Sequence, residues 1–404
     1  MRPVSVFGAV LIGLAVAAVT VPPWAEGRAD SADAEPGRGC DSSVPYIAGE
    51  GGYASYRIPA VVRTGAGSLL AFAEGRVGGK ADHGDIDVVL RRSLDGGCTW
   101  GPLHVVADGA GDTRGNPAPV VDPRTGNVVL VTSHHSGDIT EEQILRGEAP
   151  HGAGRRVFVQ ISEDDGGSFS APREITPQVK KPDWRWYATG PGHAVALTRG
   201  EHAGRLVVPA NHSAAPPPGS PDTGQEPRYY GAHAIYSDDG GESWHLGFVD
   251  DSYDGVHNAN ESTATQLQDG RLYFNARNQK GTSEGNRLDA HSSDGGSTLD
   301  RPYAEQPSLN DVPLVEGSVL RLDGRLLFSG PSVPTDRAAM AVWSSADDGR
   351  SFTKALTLSD LKAGYSDLVQ ADAGHVGVLY ETGTRTAYER IEFRRVASES
   401  VGRR

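Results

Sequence analysis

Apolar residues in this chain gather in short runs rather than in long periodic stretches. Ile86-Asp-Val-Val-Leu90 and Val157-Phe-Val-Gln-Ile161 are two of them, and each leads into a polar, glycine-bearing turn. Runs of this length, rich in β-branched residues and bounded by turn signals, read as strands. No stretch sustains the 3.6-residue spacing of an amphipathic helix; Glu141 to Arg146 offers one short turn at most. The 52 glycines and 26 prolines supply the turns that many short strands need. The pattern predicts an all-β protein.

The turns themselves repeat. Ser-x-Asp-x-Gly-x-Thr/Ser-aromatic occurs in full as Ser93-Leu-Asp95-Gly-Gly97-Cys-Thr99-Trp100, Ser162-Glu-Asp164-Asp-Gly166-Gly-Ser168-Phe169, Ser237-Asp-Asp239-Gly-Gly241-Glu-Ser243-Trp244 and Ser345-Ala-Asp347-Asp-Gly349-Arg-Ser351-Phe352. A fifth copy, Ser292-Ser-Asp294-Gly-Gly296-Ser-Thr298-Leu299, has Leu in the aromatic place. In such a unit the Asp carboxylate accepts from nearby backbone N–H groups and the glycine takes a positive φ. The hydroxyl residue bonds locally and the aromatic packs under the turn. Each unit therefore joins two strands of a small antiparallel sheet. Copies begin 53 to 75 residues apart, which fits one four-stranded blade per copy. From Ser43 to Arg395 there is room for six. The expected fold is a six-bladed β-propeller with four-stranded antiparallel blades, the last closed by terminal strands.

The largest apolar run breaks the pattern. Val4 to Val21 carries no charge, follows Met1-Arg2-Pro3 and precedes small residues at Ala25, Ala29 and Ala32. That order describes a secretory leader over 1–32, with the cleavage point left open, and a single domain over 33–404. The run could just span a bilayer, but its position and the Pro22-Pro23 ending favour cleavage and export over a stable anchor. Asn211 to Glu226, rich in Pro, Gly and Ser, reads as a surface loop within that domain. Cys40 and Cys98 are the two cysteines, an even count that suggests a disulfide in an exported chain, with free thiols as the alternative. A net charge of −14 argues against nucleic acid and anionic membranes as partners. A monomer is expected. The 13 histidines form no metal-binding pattern and the turn aspartates lack calcium-loop spacing, so neither metal nor other cofactor is expected.

From Ser55-Tyr-Arg57-Ile-Pro59 onward the sequence resembles the bacterial exo-sialidases (neuraminidases) of glycoside hydrolase family 33. The likeness continues through Ala71-Phe-Ala-Glu-Gly-Arg76, Gly190-Pro-Gly-His193, Asn260-Glu261-Ser, Asn275-Ala-Arg277, Arg337 and Gly364-Tyr365-Ser-Asp367, and covers nearly the whole chain after the leader. It implies a substrate class of sialylated glycans, glycoproteins or glycolipids. Sialic acid bears a carboxylate on its anomeric carbon, and planar guanidinium groups suit it. By resemblance Arg57, Arg277 and Arg337 form an arginine triad around that carboxylate, with Arg76 at the pocket edge. Surface acids screened over about 8 Å leave those contacts dominant despite the net charge.

The same resemblance makes Tyr365 the nucleophile and Glu261 the group that takes its proton. A carboxylate attacking this carbon would be repelled by the substrate's own; a phenol is not, though with a pKa near 10 it needs a base. Asp82, in Gly78-Gly-Lys-Ala-Asp82-His-Gly84, is the expected acid/base, with Asp85 and Asp87 as rivals. Glu381 is a candidate to hold Arg57. Alternatives on the same architecture are a trans-sialidase, an enzyme releasing an anhydro product, or a non-catalytic sialoglycan-binding propeller.

Overall fold

The computed structural model describes residues 40–402 together with Met1; the rest of the leader expected over 1–32 lies outside the described residues. Short strands dominate, arranged as antiparallel meanders. Ser55–Arg63, Leu69–Arg76, Ile86–Ser93 and His104–Ala107 pair in succession. Thr113–Val121, Val128–His135, Arg156–Ser162 and Arg173–Glu174 do the same. These two sets share one eight-stranded sheet, joined only where Ile86 lies beside Thr113. Trp184–Thr189, Leu206–Ala214, Tyr230–Ser237 and His245–Asp250 form a five-stranded sheet with the two-residue strand Val195–Ala196. Ala259–Gln266, Leu272–Asn278, Arg287–Ser292 and Ala304–Glu305 form a sheet of four. In the last sheet, Ser318–Leu322, Arg325–Val333, Asp336–Ser345 and Thr353–Thr357 meet Lys362–Asp372 through one pair, Ala338 with Lys362. His375–Gly383, Arg390–Ala397 and finally Ser42–Ile47 complete it, so the first described strand closes the last sheet.

The second and third strands of these sets are apolar on both faces because each sheet is covered on both sides. Leu69–Arg76 and Val128–His135 are buried along their whole length. Each core cluster couples neighbouring sets: Phe72 and Val88 with Leu130, Val131 and Val157 with Leu206, Val207 and Ala234 with Phe274. Tyr273 then meets Phe328, Leu327 meets Val378, and Leu379 and Phe393 meet Val61 and Leu69. The last of these joins the end of the chain to its beginning. Each large side chain so buried contributes about 1.5–3 kcal/mol.

All five repeated turns connect the third and fourth strands of their sets. In the first, Ser93 Oγ donates to Asp95 Oδ1 (2.8 Å) and accepts from Gly97 N (2.8 Å), while Thr99 N and Oγ1 donate to Asp95 at 2.9 and 2.6 Å. The bonds recur at Asp164, Asp239, Asp294 and Asp347. The turn also does something the sequence pattern did not disclose. Gly97 has φ +92, and a Cβ there would lie 2.1 Å from the ring of Phe393 in the last sheet. Trp100 packs edge-on against the same ring. Glycine is therefore needed both for the backbone conformation and for contact with the neighbouring sheet. Cys98, in this turn, is disulfide-bonded to Cys40, just before Ser42–Ile47. The bridge thus links the first set to the strand added to the last. The Glu141–Arg146 segment is one short helix, capped at Thr140 by reciprocal bonds with Gln143 and ended by Gly147 at φ +74.

Candidate active site

Three of the candidate residues sit on irregularities of the same kind. The ladder of Ser55–Arg63 with Leu69–Arg76 shifts register between Arg57 and Ala60, with Ile58 at φ +57. Ala259–Gln266 shifts between Ala259 and Ser262, and Lys362–Asp372 between Ala363 and Ser366. Such bulges bend a strand and re-aim its side chains. Arg57, Glu261 and Tyr365, each on the first strand of its set, consequently turn into one cavity of about 330 Å³. Arg76, Asp82, Arg277 and Arg337 line it too. A wider groove, about 1060 Å³, lies among the repeated turns near Asp164 and Asp239. Those carboxylates are already spent on turn hydrogen bonds, so convergent chemistry belongs to the smaller cavity.

Tyr365 is buried, and its hydroxyl donates to Glu261 Oε1 at 2.6 Å. Arg277 Nη1 donates both to the same hydroxyl (3.2 Å) and to Glu261 Oε2 (2.9 Å), closing a three-membered network. Burial pushes the phenol pKa well up, the Glu261 charge adds to this, and Arg277, Arg57 and Arg337 oppose it. The resting tyrosine is neutral. Arg57 is held by Glu381, which accepts from Nε at 3.1 Å and Nη2 at 3.4 Å. Glu381 is itself fully buried and also accepts from the backbone N–H of Ile58 and Tyr365, so it ties both bulges together.

Asp82 stands over the cavity on its loop, its side chain 61% exposed. Its carboxylate lies 2.7 Å from Arg76 and 3.5 Å from Arg57. Its pKa is lowered: burial by itself would raise it, but Arg76 and then Arg57 outweigh that effect. Arg76 is fixed in turn by Glu74 and by the carbonyls of Lys80 and Ala81. The rivals face elsewhere. Asp85 accepts from Gly111 N, and Asp87 accepts from the Tyr53 hydroxyl and Gly109 N.

Sequence reasoning did not single out several residues that complete the cavity. Tyr388 places its ring 4.5 Å from the Arg57 guanidinium, and its hydroxyl accepts from Arg337 Nη1 at 3.3 Å. Glu141, Arg155 and Trp186 line the part of the wall formed by other sets. Nothing in their local sequence marks them; Arg155 lies between Gly152-Ala-Gly154 and the strand Arg156–Ser162.

The model of the BNR repeat-like domain matches residues 67–378. The exo-alpha-sialidase of Aspergillus fumigatus is 32% identical over 380 residues, spanning 85% of this chain and 84% of that protein. This chain belongs to the BNR-repeat sialidases. The sialidase of Micromonospora viridifaciens is 30% identical; the match takes in 85% of this chain but only 52% of that protein. In three dimensions the Hadza microbial sialidase Hz136 superposes with a TM-score of 0.75 at 24% identity, over 89% of this chain and 69% of that one. The intramolecular trans-sialidase from Ruminococcus gnavus gives 0.70 at 16% identity, over 90% and 98%. At these identities the two structures establish a shared all-β fold. The family assignment rests on the sequence matches.

Proposed function

We propose that this protein is an exo-α-sialidase that removes terminal sialic acid from sialylated glycoconjugates by a double displacement through a tyrosyl-enzyme intermediate. The observation that carries the reading is the 2.6 Å bond from the Tyr365 hydroxyl to Glu261 in a cavity that Arg57, Arg277 and Arg337 share. The three guanidinium groups hold the substrate carboxylate. Tyr365 passes its proton to Glu261 as it attacks the anomeric carbon, and Arg277, in contact with both, steadies the charge that shifts between them. Asp82 protonates the departing oxygen and later activates water, so configuration is retained, as in glycosidases that use tyrosine in place of a carboxylate nucleophile.

Asp82 must carry a proton for the first of these steps, although Arg76 and Arg57 favour its ionised form. The incoming substrate carboxylate competes for Arg57 and sets a second negative charge nearby. Both effects raise the Asp82 pKa when it has to act as an acid. Six stacked meanders, five of them bearing the repeated turn, support reading the architecture as a six-bladed propeller with four-stranded blades. The Val4–Val21 run and the disulfide support export of a single catalytic domain over 33–404. Among the described residues no helix is long and apolar enough to cross a membrane.

The test is release of fluorophore from a fluorogenic α-sialoside by the purified protein and by Tyr365→Phe. Wild type turns over, and the variant loses roughly 10²–10⁴-fold in kcat. No release by wild type, or undiminished turnover by the variant, overturns the mechanism. Proton NMR of the first-formed product separates free sialic acid from an anhydro or transferred product.

A further inference from the structure

In the bulge that aims Tyr365, two successive backbone N–H groups donate to buried glutamates. Tyr365 N donates to Glu381 Oε2 at 3.2 Å, and Ser366 N donates to Glu316 Oε2 at 3.1 Å. Glu381 also holds Arg57, so its place in the site is clear. Glu316 is different. It does not line the cavity, it is 2% exposed, and among the described residues it forms no ion pair and its Oε1 has no hydrogen-bond partner. Burial pushes its pKa well above the usual carboxylate range; Asp367 and Glu261 add to this, and the Ser366 bond and Arg287 oppose it. The side chain is therefore a neutral acid. Burying such a group is unfavourable, and the bond that its carboxyl makes goes to the residue directly after the nucleophile.

Glu316 is itself held from behind. Arg287, fully buried at the start of Arg287–Ser292, donates Nη1 to Val315 O at 2.8 Å, while its Nε and Nη2 donate to Asn275 Oδ1. Asn275 opens Asn275-Ala-Arg277, the segment whose Arg277 touches both Tyr365 and Glu261. A continuous run of bonds thus leads from the strand that carries Arg277, through Arg287 and the Val315-Glu316 backbone, to the Tyr365 bulge. We propose that Glu316 is a positioning residue for the nucleophile: its carboxyl oxygen fixes the Ser366 N–H as Glu381 fixes that of Tyr365, and together they keep the phenol aimed at Glu261. The proposal rests on the sialidase reading above. Glu316 touches no reacting atom and acts through the backbone alone. The bulge needs an acceptor of the right reach at this point, not a negative charge. A shift of about 1 Å in a reacting group can cost roughly 10²-fold in rate, so one well-placed acceptor behind Tyr365 has a large effect.

The experiment compares wild type with Glu316→Gln, Glu316→Asp and Glu316→Ala. It reads kcat and KM on a fluorogenic α-sialoside and, by mass spectrometry, the rate at which a difluorosialic acid labels Tyr365. Glu316→Gln keeps both the reach and an acceptor oxygen, and should stay within about threefold of wild type in both rates. Glu316→Asp keeps the acid but draws it back by one methylene. That variant and Glu316→Ala should lose about 10- to 100-fold in kcat and in labelling rate. Their KM should change less than about threefold, because the arginines that hold the substrate carboxylate are untouched. Rescue by glutamine and a loss confined to kcat are not what lost packing alone would produce. The glutamine and aspartate variants cover the case in which the alanine variant does not fold. Glu316→Asp with wild-type rates, Glu316→Gln as impaired as Glu316→Asp, or a rise in KM in place of the fall in kcat overturns the proposal. Failure of wild type to turn over the sialoside overturns the hydrolase reading instead.

Discussion

Tyr388 illustrates how the site depends on residues that touch no reacting atom. Its ring lies against Arg57, and its hydroxyl receives a hydrogen bond from Arg337, so one side chain steadies two members of the proposed carboxylate clamp. Tyr388→Phe keeps the ring and removes the hydroxyl. One hydrogen bond of this kind is worth about 1 kcal/mol. Michaelis constants for the variant should rise about three- to tenfold while kcat changes less than about twofold, because ground-state and transition-state binding of the carboxylate weaken together. A kcat loss with unchanged KM would assign Tyr388 to the chemical step instead.

At the level of the element, the repeated turn is a structural device. Asp239 accepts from Ser237 Oγ and from Ser243 N at 2.8 and 2.9 Å, and its pKa is lowered: burial acts to raise it, but the Ser243 and Ser237 bonds outweigh this. The turn lies between Tyr230–Ser237 and His245–Asp250, and none of its residues lines the candidate active cavity. Asp239→Ala should therefore lower stability by about 1–3 kcal/mol, read as a fall in Tm, with kcat/KM of the folded variant unchanged. Selective loss of activity at unchanged Tm would contradict this. The bulges have the opposite job. A regular ladder at Arg57, Glu261 or Tyr365 would have kept alternating side chains between the faces of a sheet, whereas the extra residue turns these three toward one another.

Across the whole molecule, two histidine environments set opposing pH limits. Asp367 accepts from His193 Nδ1 (2.7 Å), Ser318 Oγ (2.7 Å) and Val61 N (2.8 Å), joining strands from several sets. Burial would lower the His193 pKa, but Asp367 raises it above the usual value. Its contribution is complete below about pH 6.5 and is lost as pH rises through the raised folded value. His212 and His233 lie Nδ1 to Nδ1 at 3.1 Å beside Trp184. Burial, then Lys181, brings His212 down to about 3; burial, then His212 and Lys181, pushes His233 well down. Their contribution is present above about pH 6.5 and is lost as pH falls below it. Thermal melts should show Tm declining from pH 6.5 toward 4, and His193→Asn should flatten the alkaline limb. Reduction of Cys40–Cys98 is expected to cost about 4 kcal/mol through the freed 58-residue separation and to lower Tm without altering kcat.

The sequence alone determined the strand-and-turn grammar of this protein. Five copies of one turn set the spacing, because each needs its Ser, Asp and Gly within a few residues and so leaves a local signature. The family resemblance placed seven of the residues that line the cavity, and Glu381 behind Arg57. It favoured Asp82 as the acid/base but left Asp85 and Asp87 as rivals, since nearby acids differ only in where their loop and strand point. The tertiary structure supports that choice, since of the three acids Asp82 alone contacts Arg76 and Arg57. It also decided that the repeated turns bind neighbouring sheets to one another, that the disulfide links the first set to the last, and that Tyr388, Glu141 and Arg155 reach the cavity. Those contacts join residues far apart in the chain, and no local pattern of polar and apolar positions records them.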